Sequence, residues 1–188
     1  MKNLKTLAFA LLITFSTVTI NAQVKKVDAA KSKITWVGKK VTGQHEGTIN
    51  LKEGTFFMKD NKIIRGKFIV DMTSLTSTDL TGEMLTKLNG HLKSEDFFGT
   101  EKYPTSTLTF KNVVEKSKGV YKVTADLTIK DKTNPVTFDL IVKGNTATAK
   151  LTIDRTKFDI KYGSGSFFDN LGDKTISDNF DLTVSLQF

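Results

Sequence analysis

Apolar and polar side chains alternate through much of the second half of the chain. Tyr121, Val123, Ala125, Leu127 and Ile129 fall on one side of a strand, and Lys122, Thr124, Asp126, Thr128 and Lys130 on the other. Period two of this kind predicts a half-buried strand with a wet outer face. The pattern returns in Val136, Phe138, Leu140 and Val142, then in Ala147, Ala149, Leu151 and Ile153, and last in Phe180, Leu182, Val184, Leu186 and Phe188. Asn134-Pro135 is expected to turn the chain and Gly144-Asn145 to close a tight hairpin. Upstream, strands are predicted at Ile34 to Val41, from Thr48, at Arg65 to Met72 and in the segment ending at Phe110, with breaks at Glu53-Gly54 and Asp60-Asn61. In the third of these, Phe68, Val70 and Met72 share the apolar face. Between Leu80 and Leu92 the period becomes helical: Leu80, Met84 and Leu88 form a stripe that Leu92 continues, and Thr78 or Thr81 is placed to cap it. Ser94-Glu95-Asp96 reads as a second helix start delivering Phe97 and Phe98, and Tyr103-Pro104 ends the insert.

The sum is an antiparallel all-β domain of about eight strands interrupted once by helix. Strands with one apolar face bury it in a two-sheet sandwich or in a closed barrel, and the pattern alone does not choose between them. The helical insert would then lie over an end or side of the sheet as a lid.

The first 22 residues have the order of an export signal: Lys2 and Lys5, an apolar run from Leu7 to Val18, and the small residue Ala22 at the expected cut. The expected mature domain is 23–188, with its net charge lowered from +8 to +6 because the segment removed holds two lysines and no acid. A periplasmic or secreted product follows, with no transmembrane segment, since no later stretch approaches the roughly 20 apolar residues a span needs. The chain has no cysteine, so neither disulfides nor lipidation at a thiol are available. Charges of both signs are scattered along every strand, which describes a solvated surface and argues against a nucleic-acid partner. His45 and His91, without cysteine, give no zinc spacing, and Asp169, Asp173, Asp178 and Asp181 do not have the spacing of a calcium loop. No nucleophile with its base is visible, so no enzyme is expected.

Four stretches together resemble the YceI-like domain proteins: Gly66-Lys67-Phe68-Ile69-Val70-Asp71-Met72-Thr73-Ser74-Leu75; His91-Leu92-Lys93-Ser94-Glu95-Asp96-Phe97-Phe98; Tyr103-Pro104 with Phe110; and Leu127-Thr128-Ile129-Lys130 with Pro135-Val136. Their order and spacing match the family across about Val27 to Phe188. The resemblance implies an extended lipocalin-like barrel of eight antiparallel strands, exported to the periplasm, holding a polyisoprenoid or similar amphiphile such as a quinone or polyprenyl phosphate. It implies no catalysis and no cofactor apart from such a lipid. Two departures bear on the ligand. Lys39-Lys40 stand where many members carry a Ser-His pair, and Leu88-Asn89-Gly90 where many carry charged residues.

Within that frame the expected cavity walls are Trp36, Phe68, Val70, Phe110, Leu127, Phe138 and Phe180, with Phe97 and Phe98 on the lid. His91 and Arg155 are the expected polar contacts near an opening. Arg155 is one of only two arginines and is in phase with Ala149, Leu151 and Ile153, so alternation aims it inward. There it either pairs with an acid or meets an anionic head group. His45 is expected as an exposed loop or strand-end imidazole, with a ligand contact as the alternative, and Phe167-Phe168 as core or cavity wall. Gly163-Ser164-Gly165-Ser166 reads first as a flexible loop, and as the alternative its backbone amides could meet an anion. The alternative is a filled barrel acting through its surface as a non-catalytic stress or interaction protein.

Overall fold

The computed structural model describes residues 23–188; the expected export signal and its cut after Ala22 lie outside them. Nine strands follow one another: β1 (Gln23–Lys26), β2 (Asp28–Lys40), β3 (Gly43–Lys59), β4 (Lys62–Ser77), β5 (Thr105–Ser117), β6 (Val120–Ile129), β7 (Lys132–Lys143), β8 (Thr146–Asp154) and β9 (Ile176–Gln187). One helix, α1 (Gly82–Lys93), sits between β4 and β5. From β2 to β9 each strand pairs antiparallel with the next, and β9 pairs back onto β2, which closes an eight-stranded barrel. β1 is the addition to the expected count. It lies end to end with β2 against the far half of β3, with Lys25 opposite Phe56.

Closure buries the apolar faces that alternation defines. Tyr121, Val123, Ala125, Leu127 and Ile129 are all buried, as are Ala147, Ala149, Leu151 and Ile153. Register shifts in the β2–β9 and β3–β4 pairs bend these long strands around the barrel. The Trp36 indole packs against Gly47 directly across the strand pair, where any Cβ would collide with the Thr76 carbonyl oxygen and with the indole.

The connections are polarised. At one end the strands are joined by two-residue turns, Asp60-Asn61, Lys118-Gly119 and Gly144-Asn145. That end is closed internally by phenylalanine rings: Phe56 meets Phe68 at 5.1 Å and Phe188 at 5.0 Å, and Phe68 meets Phe110 at 5.4 Å. At the other end lie the β2–β3 hairpin tip, the insert between β4 and β5, the β6–β7 turn and the long β8–β9 connection. The cavity opens there.

Three expected local features differ. The β6–β7 turn is made by Lys130-Asp131, with Lys130 at φ 57°, and Asn134-Pro135 lies inside β7. Proline is tolerated because β8 pairs with β7 only from Leu140 to Lys143, so no β8 partner demands an amide at position 135. Glu53-Gly54 does not break β3 but accompanies a register shift within it. No second helix begins at Ser94. Its hydroxyl donates back to the His91 carbonyl (2.8 Å), and turns carry the chain to Phe97 and Phe98. A buried aromatic pair begins four residues beyond the helix end, and its burial stops the chain from winding on.

Candidate functional site

The barrel holds a cavity of about 420 Å³ whose walls are overwhelmingly apolar. All eleven expected site residues border it. Phe68, Phe110 and Phe138 form the floor, an edge-packed continuation of the closed-end cluster, with Phe110 and Phe138 centred 5.9 Å apart. Trp36, Val70 and Leu127 stand in the side walls on β2, β4 and β6. The Trp36 indole keeps its polar edge satisfied by donating to the Thr48 carbonyl (3.3 Å). Phe97, Phe98, Phe180 and His91 surround the opening; Phe97 and Phe98 are centred 5.5 Å apart and Phe98 meets Phe180 edge-on at 6.2 Å.

α1 is held over this opening by a side-chain clamp. Asn89 Oδ1 accepts from the Ser77 amide (2.9 Å) and Asn89 Nδ2 donates to Thr76 Oγ1 (2.9 Å). Only part of the expected apolar stripe is used. Leu88 and Leu92 line the cavity, whereas Met84 is exposed and no residue of α1 is fully buried. Thr81 occupies the N-cap position without a side-chain capping bond. His91 projects from the last turn between the rings of Phe97 (5.4 Å) and Tyr162 (4.5 Å). Its Nε2 is buried and has no hydrogen-bond partner in the protein. An unpartnered buried nitrogen carries a desolvation cost, so it is the place where a polar group of a guest gains most.

Arg155 does face inward, with 2 % of its surface exposed, and it borders the cavity. Its donors are engaged by the backbone: Nε to Ser177 O (2.9 Å), Nη1 to Ile160 O (2.8 Å) and Nη2 to Ile176 O (3.0 Å). Asp178 lies 3.7 Å away and the guanidinium sits 5.5 Å from the centre of the Phe97 ring. Burial lowers its pKa while the charges of Asp178 and Asp154 act the other way; a guanidinium remains protonated regardless. The arrangement ties the start of β9 to the 3-10 turn Arg155–Phe158 that follows β8.

The mouth holds residues that alternation did not mark. Lys39, Lys40, His45, Tyr162, Ser177 and Asn179 border it. His45 belongs to β3, where its Nδ1 lies 2.8 Å from Asp79 Oδ2. Asp79 Oδ1 accepts from Ser77 Oγ (2.6 Å) and from the Glu46 amide (3.2 Å), so one carboxylate straps the β2–β3 hairpin to the segment before α1. Burial alone would raise the Asp79 pKa; the Ser77, His45 and Glu46 contacts outweigh it and bring it down to about 2. Lys39 pairs with Asp181 at 2.8 Å. The positions were readable as strand ends, but nothing in the sequence said which of them would share a rim.

Two expectations on the β8–β9 connection fail. Phe167 and Phe168 are each half exposed and do not line the cavity. Ser164 is fully buried, and the Ser166 amide bonds to Ser164 Oγ (3.2 Å), so this glycine-serine stretch is an ordered turn that uses its own donors. Among the described residues no three His, Asp or Glu side chains gather as a metal site, and no helix is long and apolar enough to cross a membrane.

The chain is 32% identical over 96 residues to a UPF0312 protein of Vibrio campbellii, a stretch spanning about half of each protein (50% of this chain, 48% of the relative). It is 46% identical over 56 residues, 30% of each chain, to a UPF0312 protein of Staphylococcus aureus. Among solved structures, BcnA of Burkholderia cenocepacia superposes with a TM-score of 0.64 at 24% identity, covering 85% of this chain and 98% of that one. A polyisoprenoid binding domain from Saccharophagus degradans superposes with a TM-score of 0.57 at 14% identity, covering 88% and 97%. At these identities the superpositions speak for the fold. With the YceI-like domain matched over residues 26–188, on a closed eight-stranded barrel with one helix over its open end, the chain belongs to the YceI-like family.

Proposed function

We propose that this protein is an exported, non-catalytic carrier that holds an amphiphile with a long apolar tail, an isoprenoid lipid in the first instance, inside the barrel. The observation that carries the reading is the 420 Å³ apolar cavity with a single polar end. That volume lies within the range of about 300–1,000 Å³ found for small-molecule sites. Tail burial is the main source of affinity. At about 0.8 kcal/mol per methylene, ten buried carbons contribute roughly 8 kcal/mol before the cost of immobilising the chain. The Saccharophagus degradans domain of the same fold, described as polyisoprenoid binding, supports the choice of tail.

The head group sits at the mouth, where His91, whose buried Nε2 has no hydrogen-bond partner, Lys40 and Asn179 border the cavity. Arg155 serves the scaffold beneath it, since three of its donors already meet backbone carbonyls.

Native mass spectrometry of protein purified without detergent tests the reading. A lipid-mass adduct that denaturation releases is expected, and Leu182→Trp, which fills the cavity from β9, removes it while the circular dichroism spectrum is unchanged. Repeated absence of an adduct, together with no uptake of polyprenyl phosphates or quinones, overturns the proposal in favour of a barrel that acts through its surface.

A further inference from the structure

Five large apolar side chains stand exposed at the open end of the barrel. They are Val41 (66%), Met84 (61%), Tyr162 (48%), Phe167 (50%) and Phe168 (50%). They come from three separate connections that the backbone ties together. The Val41 amide at the hairpin tip donates to the Thr175 carbonyl (3.2 Å), and the Ile176 amide donates to the Gly163 carbonyl (2.8 Å). An edge-on contact between Tyr162 and His91 joins the same loop to α1, which carries Met84. At the opposite end the two-residue turns themselves carry no exposed large apolar side chain; Ile64, Val114 and Ile141 are exposed singly, each on a different strand leading to or from a turn, with no exposed aromatic among them.

The adjacent phenylalanines are held outward by an ordered turn. Both the Phe167 and the Phe168 amides donate to the Ser164 carbonyl (3.2 and 3.0 Å), and Ser164 is fully buried. Two aromatic rings fixed in water beside the mouth of an apolar cavity mark a contact surface. Charge indicates which kind. Three cations of this end are paired at short range, Lys39 with Asp181 (2.8 Å), Lys87 with Glu83 (2.7 Å) and Lys161 with Asp159 (2.7 Å), and the connections carry both signs, with Lys40, Lys93 and Lys174 set among Glu46, Glu95 and Asp173. A strongly charged partner finds little excess charge to meet there. Aromatic and aliphatic side chains mixed with balanced charge suit the boundary between lipid head groups and acyl chains.

We infer that the open end docks on the surface of a lipid bilayer, with Phe167, Phe168 and Tyr162 entering the head-group region, so that the amphiphile moves between membrane and cavity without crossing bulk water. This rests on the reading of the cavity as an amphiphile site, which is what makes a bilayer, rather than a protein, the occupant that the position of the patch calls for.

Residues 23–188, the whole of the described fold, are sedimented with phosphatidylcholine vesicles, and uptake of a dispersed fluorescent fatty acid is measured separately in the absence of vesicles. Vesicle binding is expected to change less than about twofold between roughly 0.1 and 0.5 M salt. Phe167→Ser combined with Phe168→Ser is expected to weaken vesicle binding about tenfold or more. Uptake of the fatty acid stays at the parent level, and Val24→Ser with Val114→Ser, far from the mouth, leaves vesicle binding unchanged. Equal vesicle binding by the Phe167/Phe168 double variant and the parent overturns the inference. So does binding only to anionic vesicles with loss at high salt, and so does a dimer in sedimentation equilibrium that the double variant dissolves, which makes a second copy the occupant. Loss of fatty-acid uptake by the parent with vesicle binding intact would instead count against the cavity reading alone.

Discussion

Arg155 shows how one side chain can border a cavity and still belong to the scaffold. It continues the inward face of β8 beyond Ile153, but the strand ends at Asp154, whose carboxylate caps the following turn by accepting from the Thr156 amide (3.0 Å). The guanidinium therefore meets the carbonyls of Ile160, Ile176 and Ser177 at the base of the β8–β9 connection. Removing it leaves three carbonyls and the Asp178 charge without their partner. Arg155→Gln is expected to lower ligand-free stability by about 3–5 kcal/mol. Urea denaturation of the apo-protein measures this, and a midpoint equal to the parent's, with affinity lost only for a charged ligand, would return Arg155 to head-group recognition. Arg155→Lys keeps the charge but cannot span three acceptors with one ammonium, so most of the loss should remain.

At the scale of elements, the open end is a set of straps around a mouth. Asp79 joins the β2–β3 hairpin to the approach of α1, and Asn89 joins α1 to the end of β4. The Asp79 pKa in the fold, about 2, is below its ordinary value of 3.8. A carboxylate depressed on folding adds stability at pH values above its unfolded pKa and loses that contribution as pH falls through the folded one. The strap is therefore fully effective above about pH 5 and fades between about pH 4 and 2. For this partly exposed group it contributes about 1–2 kcal/mol after solvent screening. Asp79→Asn should differ most from the parent at neutral pH, and the two stabilities should converge on acidification. Denaturation midpoints taken at several pH values read this directly, and a constant gap down to pH 2 would assign the stabilisation to packing.

The whole molecule divides into a filled half and a hollow half. Phe56, Phe68, Phe110 and Phe188 close the end with the short turns, whereas the half with the long connections keeps a cavity between its walls. An apolar void forfeits contacts that a tail would restore, so occupancy should stabilise the fold. At a free ligand concentration of a hundred times Kd the gain is about 2.7 kcal/mol. In a protein of this size that corresponds to a rise in Tm of roughly 5–10 °C. Thermal unfolding with and without a dispersed isoprenoid measures it. An unchanged Tm in the presence of a ligand shown to bind would place that ligand on the surface.

Alternation by itself determined the strands and which side chains face in, because the two faces of a closed sheet lie in different solvents and the side chains sort accordingly. Trp36, Phe68, Val70, Phe110, Leu127, Phe138 and Phe180 all point inward for this reason. The family pattern added closure into a barrel, which alternation shares with a sandwich. Turns were legible where glycine or asparagine supplied a positive φ, as at Asp60-Asn61 and Gly144, and misread at Asn134-Pro135, where an unpaired strand edge accommodates the proline. Only the tertiary structure decided the rest. Whether inward rings fill the barrel or wall a cavity depends on how far apart closure holds the strands. Whether Arg155 meets a guest or a carbonyl depends on where residues 160, 176 and 177 pass. That Phe167 and Phe168 stay in water is set by a turn folded around the buried Ser164, and that His45 and Asp79 join across the mouth by the meeting of two connections, which no local period in the sequence encodes.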